Sequence, residues 1–230
     1  MQNDEYKAII DASNVKAIGL RKNLIAWAQI NLRDYPWRKN LTPFLVLITE
    51  VLLRRTTATA VLRIYPDFIK RYGNLSQVLN SQETDLEIML SSIGYQKERA
   101  KILKEIAKHI ANELNGTIPS SKEELLKIPH VGDYTTGAVL SLGYNQPSAM
   151  VDTNVKRIYG RIFLSCLPKK AQNRFIDKAA AICVPKKMHK TYNFALLDLG
   201  ALICTYSIPR CKICPIKEQC DYFSRKLPSR

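Results

Sequence analysis

The sequence predicts an all-α protein, and three observations support this prediction. Apolar residues recur at intervals of three and four over several segments, which is the spacing of one helix face. No segment shows a convincing alternation of apolar and polar residues, the pattern of a half-buried strand. Helix-capping residues and turn dipeptides separate the periodic segments at short intervals.

The individual helices follow from these signals in chain order. Thr42-Pro43 begins one helix with a capping hydroxyl group and a proline at the first helical position. Residues 82–91 and 173–183 each carry an apolar stripe. Residues 97–114 carry the clearest stripe, with Lys and Glu on the opposite face and a glycine just beyond to end the helix. That stripe consists of Leu103, Ala107, Ile110 and Leu114.

The composition indicates an intracellular protein of one large domain or two small ones. The chain has 230 residues, enough to bury a substantial core. It contains no run of about eighteen apolar residues, so we expect no membrane-spanning segment and no membrane partner. The first residues lack the basic and apolar stretches of a secretory signal, so we expect a cytoplasmic location.

The basic side chains are concentrated near the C-terminus. The formal net charge is +15, from 35 Lys and Arg against 20 Asp and Glu. Residues 44–150 hold twelve basic and eleven acidic side chains, whereas residues 151–230 hold sixteen and five. Such an excess favours binding to a polyanion such as DNA, although a solubilising charged surface would give the same count.

Four cysteines near the C-terminus have the spacing of a metal or cluster site. They are Cys204, Cys211, Cys214 and Cys220, separated by six, two and five residues. A Cys-x-x-Cys pair directs two thiolates at one centre, and two further thiolates complete a four-thiolate site. Zinc sites of this class usually contain two close pairs and this segment contains one. From the spacing alone, zinc and an iron–sulfur cluster both remain open.

Residues 120–143 have the pattern of a helix, a tight turn and a second helix. The turn, residues 128–135, contains His130, Val131 and Gly132. A turn that directs successive backbone N–H groups outward at a helix N-terminus is suited to bind phosphate, and we expect Gly132 to supply the positive φ. Taken alone, the segment is better explained as an ordinary helix–helix connection.

The hairpin is followed by Val151–Arg157, which places Asp152 eighteen residues after Tyr134, and the four-cysteine spacing comes last. These three motifs in this order resemble the helix-hairpin-helix (HhH-GPD) superfamily of DNA glycosylases. The superfamily includes endonuclease III, MutY-type adenine glycosylases and archaeal thymine–guanine mismatch glycosylases. The resemblance extends from about Tyr35 to Cys220.

The resemblance implies a two-lobed helical fold with DNA bound across the cleft. A six-helix barrel that contains the hairpin would comprise residues 44–150. The second, discontinuous lobe would join residues 1–43 to residues 151–230 and would carry the cysteine loop, residues 204–220. The resemblance also favours a [4Fe-4S] cluster over zinc at the four cysteines.

Asp152 is the catalytic carboxylate that the resemblance implies. Cleavage of an N-glycosidic bond develops oxocarbenium character on the deoxyribose, and a nearby carboxylate can stabilise that charge or direct water onto the anomeric carbon. Asp152 is also placed to cap the helix that begins near Asn154, and the two roles are compatible. Asn154 matches a family position beside the aspartate, where we expect it to orient water or a phosphate.

A second carboxylate, Glu50, lies within the otherwise apolar helical run 45–53. Burial of an unpaired carboxylate raises its pKa, so that Glu50 would hold a proton near neutral pH. In MutY-type enzymes the matching glutamate protonates the leaving base, and the resemblance implies an analogous role here. An ion pair with Arg54, one turn further along the helix, is the alternative.

Three other matched positions bear on the reaction and on DNA contacts. Bifunctional relatives have a lysine where Tyr134 stands, and because a phenol cannot form a Schiff base, we expect a monofunctional enzyme. Arg54 and Arg55 belong to the segment that fills the stack after base flipping, with Arg55 as the plug, although merely exposed cations would fit the same pattern. The family usually has glycine where His130 stands. Histidine tolerates the left-handed region, so we expect the turn to form with an altered phosphate contact.

The segment Leu52–Ala58 resembles the thymine–guanine mismatch enzymes more closely than MutY-type enzymes. MutY-type enzymes have paired glutamines in place of Arg54 and Arg55 and an additional C-terminal domain, which we expect to be missing because the chain ends ten residues after Cys220. We therefore expect removal of thymine or uracil opposite guanine in double-stranded DNA. Adenine removal opposite guanine or 8-oxoguanine, and a non-catalytic iron–sulfur DNA-binding protein, are the alternatives. We also expect a nucleoid-associated monomer whose product passes to an abasic-site endonuclease.

Overall fold

The prediction of an all-α protein is confirmed. The computed structural model describes residues 2–168 and 172–226, and within these ranges the chain forms helices and no strand. Residues 1, 169–171 and 227–230 of the predicted second lobe lie outside the described residues. The α-helices of the described ranges are, in chain order, α1 (Gln2–Asn31), α2 (Pro43–Leu53), α3 (Ala58–Tyr72), α4 (Leu75–Asn80), α5 (Glu83–Leu90), α6 (Gln96–Glu113), α7 (Lys122–Leu125), α8 (Asp133–Ala138), α9 (Thr153–Ile162), α10 (Gln172–Cys183), α11 (His189–Leu202) and α12 (Asp221–Lys226).

The ends of the helices show why these segments become helical. Thr42 caps α2, because its Oγ1 accepts a hydrogen bond from the Leu45 N–H at 3.3 Å. The helix α6 ends at Glu113, and Asn115 and Gly116 beyond it both have positive φ. The Gly116 N–H donates to the Ile110 carbonyl at 2.8 Å, which closes the end of the helix. The predicted helix over residues 97–114 is therefore confirmed to within one residue.

The chain divides into two compact units. The terminal unit comprises Met1–Arg33 with Pro147–Arg230, and the central unit comprises Asp34–Gln146. The sequence placed the division after residues 43 and 150 instead. Residues 34–42 belong to the central unit because Trp37 is nearly buried there, with its ring edge against Tyr65 at a centroid distance of 5.3 Å.

A single apolar core joins the helices of the terminal unit. One face of α1 is buried at Ile9, Ala17, Leu20, Leu24 and Ala28, and it packs chiefly against α10 and α11. This face follows the helical repeat, so burial of the apolar stripe accounts for the position of a 30-residue helix. The helices α9, α10 and α11 complete the core, and α9 contributes Val155, Ile158, Tyr159 and Ile162.

The helix α2 is the centre of the central unit. All eight residues from Leu45 to Leu52 are buried, and α2 contacts α3, α6, α8 and the π-helix Val139–Gly143 that continues α8. Gly143 allows the π-helix to approach α2, because a β-carbon at this position would lie 2.8 Å from the Pro43 Cα. Within the described residues, no helix is both long and apolar enough to span a bilayer.

Candidate functional site

Glu50 and Arg54 occupy successive turns at the C-terminal end of α2. Glu50 is buried, with 8% of its surface exposed, and Arg54 is half-buried directly after the helix. Burial lowers the pKa of the Arg54 guanidinium, and the charge of Glu50 opposes that shift. The two side chains are therefore close enough for their charges to interact.

A buried arginine that the sequence reasoning did not single out holds this end of α2. Arg99 of α6 is 3% exposed. Its guanidinium donates to backbone carbonyls at the end of α2 and in the turn before α6. Nη1 donates to Val51 at 2.5 Å and to Leu52 at 3.1 Å, and Nη2 donates to Arg54. Nε donates to Gly94 at 2.9 Å. The last carbonyls of α2, which have no partner within the helix, thus receive charged donors.

Arg55 is exposed and has a left-handed backbone, with φ 51°. Its guanidinium carbon lies 4.5 Å from the ring centroid of Tyr95, which is itself half-exposed and left-handed with φ 53°. The stack is a cation–π contact that keeps the guanidinium at the surface. Arg55 is therefore an ordered, solvent-facing cation in the position that the sequence predicted for the plug.

The hairpin turn forms, but with a different residue in the left-handed conformation. His130 has φ 63°, whereas Gly132 has φ −109° and caps α8, so the expectation of a positive φ at Gly132 is wrong. A glycine is therefore not required for the turn itself. Val131 is buried and its N–H donates to the Ile128 carbonyl at 3.1 Å, so its side chain is not available at the surface.

The hairpin is tied to the end of α2. Nη2 of Arg54 donates to the His130 carbonyl at 2.6 Å. Tyr134, in the first turn of α8, is half-buried. The first intrahelical hydrogen bond of α8 runs from the Thr136 N–H to the Gly132 carbonyl at 2.9 Å. The backbone N–H groups before Thr136 therefore have no acceptor within the helix, and such helix N-termini attract anions. The structure thus brings Glu50, Arg54 and the hairpin together in the central unit.

Asp152 lies in the terminal unit, at the N-terminus of α9. Its Oδ1 accepts from the Val155 N–H at 2.7 Å, and its Oδ2 accepts from Nδ2 of Asn154 at 2.9 Å. The predicted capping role is confirmed, and the carboxylate remains half-exposed. Gly200 of α11 packs against this turn, because a β-carbon there would lie 2.8 Å from the Asn154 Cβ. Asp152 therefore has a fixed orientation that two donors and a close helix contact define.

The four predicted cysteine ligands line one cavity. The rest of the lining is mainly apolar and includes Ile158, Ile162 and Ile216. The pKa of the Cys214 thiol is raised to about 12, chiefly by burial and to a smaller extent by the three other thiols of the set. Within the described residues, no three His, Cys, Asp or Glu side chains are grouped closely enough to hold one metal ion. The four thiols therefore line a shared cavity without converging on one point.

Two arginines of α9 hold the beginning of the cysteine loop. Arg157 donates to the carbonyls of Gly200 and Cys204, both at 2.9 Å. Arg161 donates to the Cys204 Sγ at 3.1 Å and to the carbonyls of Thr205 and Tyr206 at 2.8 and 3.1 Å. Because these arginines follow Asp152 on the same helix, α9 connects the predicted catalytic carboxylate to the cysteine loop.

A protein-family comparison identifies the chain. Residues 48–183 match the model of the HhH-GPD superfamily of base excision DNA repair proteins. The chain belongs to this superfamily. The resemblance that the hairpin, the aspartate and the cysteine spacing predicted is confirmed.

Individual members of the HhH-GPD superfamily match almost the whole chain. A thymine-DNA glycosylase of Aeropyrum pernix is 36% identical over 94% of this chain and 98% of that protein. The solved structure of a thermostable thymine-DNA glycosylase superposes with a TM-score of 0.87 and 32% identity, covering 93% of this chain and 99% of that one. An adenine DNA glycosylase of Mycobacterium tuberculosis is also 36% identical, over 84% of this chain and 64% of that protein.

Sequence reasoning missed the arginines and their partners. Arg99 lies four residues before Leu103, on the apolar stripe of α6, so a cation in a buried position was a signal that could have identified it. Arg157 and Arg161 were counted only as part of the basic excess. Their roles depend on carbonyl groups more than 40 residues away, which no local pattern indicates.

Proposed function

We propose that this chain is a monofunctional DNA glycosylase that removes thymine or uracil opposite guanine from double-stranded DNA, in base excision repair. The observation that carries the proposal is the conformation of Asp152. In a member of the HhH-GPD superfamily, this half-exposed carboxylate is held in one orientation at the start of α9. Similarity to proteins named thymine-DNA glycosylases supports the choice of base.

Asp152 would act on the sugar of the flipped nucleotide. As the glycosidic bond breaks, positive charge develops on the deoxyribose, and a carboxylate in place before the reaction stabilises that charge or directs water onto the anomeric carbon. One oxygen of Asp152 accepts from the Val155 N–H and the other from Asn154. These donors keep the carboxylate oriented, as this role requires.

Glu50 would assist departure of the base. It is a buried carboxyl group whose burial favours the protonated form, while the adjacent Arg54 favours the ionised form. A carboxyl group balanced in this way can donate a proton or a hydrogen bond to a leaving pyrimidine. Substitution Glu50→Gln keeps a donor but removes the transferable proton, so we expect slower excision with little change in DNA affinity.

Tyr134 and Arg55 would define the product and support the flipped state. A phenol cannot form the Schiff base that leads to strand cleavage, so hydrolysis would leave an intact abasic strand. The exposed guanidinium of Arg55 can stack and hydrogen-bond in the space that the base vacates. The abasic product would then require an abasic-site endonuclease. We propose a nucleoid-associated monomer as the acting species.

The four cysteines would hold a [4Fe-4S] cluster. They fit such a group because four thiols from one loop line a single cavity whose other walls are mainly apolar. A bound cluster would supply a fixed covalent framework for residues 204–220. This loop contains Arg210, Lys212 and Lys217, so its order would also fix basic side chains suited to a DNA backbone.

Excision from defined mismatches tests the proposed activity. Purified protein is incubated with labelled duplexes that contain T·G, U·G, A·G or A·8-oxoguanine pairs, and with a fully paired control. Hot alkali then cleaves the strand at any abasic site. We expect alkali-dependent cleavage of the thymine and uracil strands. Cleavage of the adenine strands alone would favour the second candidate, an adenine glycosylase, which the mycobacterial relative supports.

Substitution at Asp152 separates catalysis from DNA binding. Asparagine caps helices as well as aspartate does, so Asp152→Asn should preserve α9 while removing the charge. We expect single-turnover excision to fall by about 100- to 1,000-fold, the size of effect seen when a preorganised electrostatic group is removed. DNA affinity should be retained. Asp85→Asn, at an exposed first-turn aspartate of α5, is the matched control and should leave excision unchanged.

A trapping experiment tests the role of Tyr134. Borohydride reduces a Schiff base to a stable covalent protein–DNA adduct. We expect no adduct with the natural chain and a trapped adduct with Tyr134→Lys. Strand breaks before alkali treatment of the natural chain would refute the monofunctional assignment. No excision from any duplex, together with normal DNA binding, would favour a non-catalytic binding protein.

A further inference from the structure

The hairpin contains a side chain that its phosphate-binding role does not require. His130 has φ 63°, in the left-handed region that favours glycine. A residue with a β-carbon is strained there, and such strain persists only where the surrounding structure enforces it. The contacts of His130 therefore indicate what enforces this conformation.

The imidazole ring of His130 is bound to α6. Its Nε2 lies 2.5 Å from Oε2 of Glu105. The hydrogen bond from His130 lowers the pKa of the Glu105 carboxyl. About a third of each side chain is exposed, 34% for His130 and 39% for Glu105. The pair therefore lies at the surface, where a ligand of the hairpin can sense its charge.

The backbone of His130 is bound to the segment that follows α2. Its carbonyl accepts from Arg54 at 2.6 Å, and the Arg54 carbonyl in turn accepts from Arg99 of α6. His130 thus contacts α6 through its ring and the segment containing Arg54 and Arg55 through its carbonyl. Both the hairpin and that segment are proposed to contact DNA.

We propose that Glu105 and His130 form a clamp that positions the hairpin turn and Arg54 for DNA binding, and that this clamp makes DNA affinity depend on pH. The inference rests on the proposed function in that DNA is the ligand. With a protonated imidazole the pair is a compact ion pair without net charge. With a neutral imidazole, the pair carries one positive charge fewer beside a polyanion, and DNA affinity falls.

The other charged groups near the clamp belong to α6, α7 and α8. Lys101 lies 4.0 Å from the Glu105 carboxylate, and Lys108 also lowers the pKa of that carboxyl. On the hairpin side, Asp133 is paired with Lys122 at 2.9 Å. Imidazole side chains change charge between about pH 5 and 8, whereas lysine, arginine and paired carboxylates do not. Because His109 of α6 also carries an imidazole, the difference between the natural chain and His130→Gly, and not the pH dependence alone, reports on His130.

Affinity measurements with two substitutions in combination test the clamp. The probe is a fluorescein-labelled, fully paired duplex at one salt concentration, and dissociation constants are measured by anisotropy between pH 6 and pH 8. His130→Gly removes the ring but allows the same backbone conformation. Glu105→Ala removes the carboxylate. Circular dichroism shows whether each variant is folded. Glu113→Ala, at an exposed carboxylate of the same helix, is the matched control.

If the clamp exists, the effect of Glu105→Ala on DNA affinity should have opposite signs with and without His130. Simple electrostatics predicts the same sign in both cases. Removing a carboxylate near DNA should by itself strengthen binding slightly. We expect Glu105→Ala instead to weaken binding about three- to tenfold in the natural chain, and to be neutral or slightly favourable once His130→Gly is present. The natural chain should bind about three- to tenfold more weakly at pH 8 than at pH 6, and His130→Gly should lose most of this dependence.

Two results would overturn the clamp while leaving the glycosylase proposal intact. One is stronger binding by Glu105→Ala in both backgrounds, as expected for Glu113→Ala. The other is a pH dependence in His130→Gly that equals that of the natural chain. If the natural chain binds no duplex at any pH and excises no base, the clamp and the proposed function both fail.

Discussion

Both units of the molecule fix a surface segment with arginine side chains that donate to backbone carbonyls, but they do so to different degrees. In the central unit, one buried guanidinium, that of Arg99, donates to four carbonyl groups. In the terminal unit, two half-buried arginines, Arg157 and Arg161, together donate to four carbonyl groups, and Arg161 also donates to the Cys204 thiol.

This difference indicates what each segment needs in order to be ordered. The segment after α2 is held by protein groups alone, because Arg99 satisfies the helix end from inside the core. The cysteine loop is held at one end by arginines, while its four thiols surround a shared cavity. We therefore expect the central unit to tolerate loss of a bound cofactor and the cysteine loop to depend on one.

The largest expected effect is that of removing a thiol from the cysteine loop. Cys214→Ser should abolish iron binding, and structural metal sites contribute on the order of 10 kcal/mol to the folding of the segments they hold. Limited proteolysis should then cut within residues 204–226 while a fragment that spans the central unit stays protected. Cys166→Ser, outside the cysteine loop, should retain iron and resist proteolysis. A colourless, iron-free natural chain with a protected loop would contradict the proposal of a cluster.

The next largest effect is expected at Arg99. Arg99→Met keeps much of the apolar stem but leaves buried carbonyl groups at the end of α2 without donors. We expect the free energy of unfolding to fall by about 3 kcal/mol in urea titrations. Arg161→Met, the matched change in the terminal unit, should cost about 1 kcal/mol because its partners are closer to solvent. Equal losses in the two variants would remove the distinction between the units.

Much of the fold could be predicted from the sequence because it depends on local signals. The helix over residues 97–114 follows from an apolar stripe and a terminal glycine, and α2 follows from Thr42-Pro43. The observed division between the units differs from the predicted one. The sequence assigned residues 34–43 to the terminal lobe, since nothing local shows that Trp37 packs against Tyr65.

The parts of the candidate site that could be predicted are those that depend on a family motif or on the preference of one residue type. The capping conformation of Asp152 follows from its place before α9, and the gathering of the four cysteines follows from their spacing. A positive φ was expected at Gly132 because glycine has the lowest intrinsic cost there, and this expectation is wrong. The expected tolerance of histidine for the left-handed region is confirmed at His130, and its ring also contacts Glu105, 25 residues earlier.

A smaller effect on stability, with a specific effect on catalysis, is expected at Gly200. Gly200→Ala would place a β-carbon 2.8 Å from the Asn154 Cβ and displace the residue that orients Asp152. We expect a loss of about 1 to 3 kcal/mol in unfolding free energy. Single-turnover excision should fall more than DNA affinity does.

Gly160→Ala on α9 is the control for Gly200→Ala. Its β-carbon would meet only the Ile176 Cδ1, at an ordinary contact distance of 3.9 Å. Because alanine is favoured over glycine within a helix, this variant should gain about 0.5 to 1 kcal/mol. If both glycine variants slowed excision equally, the packing of α11 against Asn154 would not be what orients the carboxylate.

The smallest effect on stability is expected at Arg55, where a proposed functional side chain adds little to the fold. Its contact with Tyr95 lies at the surface, and exposed cation–π pairs contribute about 0.5 to 1 kcal/mol. Arg55→Gly removes the side chain and also relieves the left-handed strain at φ 51°, so its unfolding free energy should match that of the natural chain. Arg55→Ala keeps the strain and should be about 1 kcal/mol less stable than Arg55→Gly. Both variants should bind a mismatched duplex equally weakly, because the guanidinium would act on DNA and not on the fold.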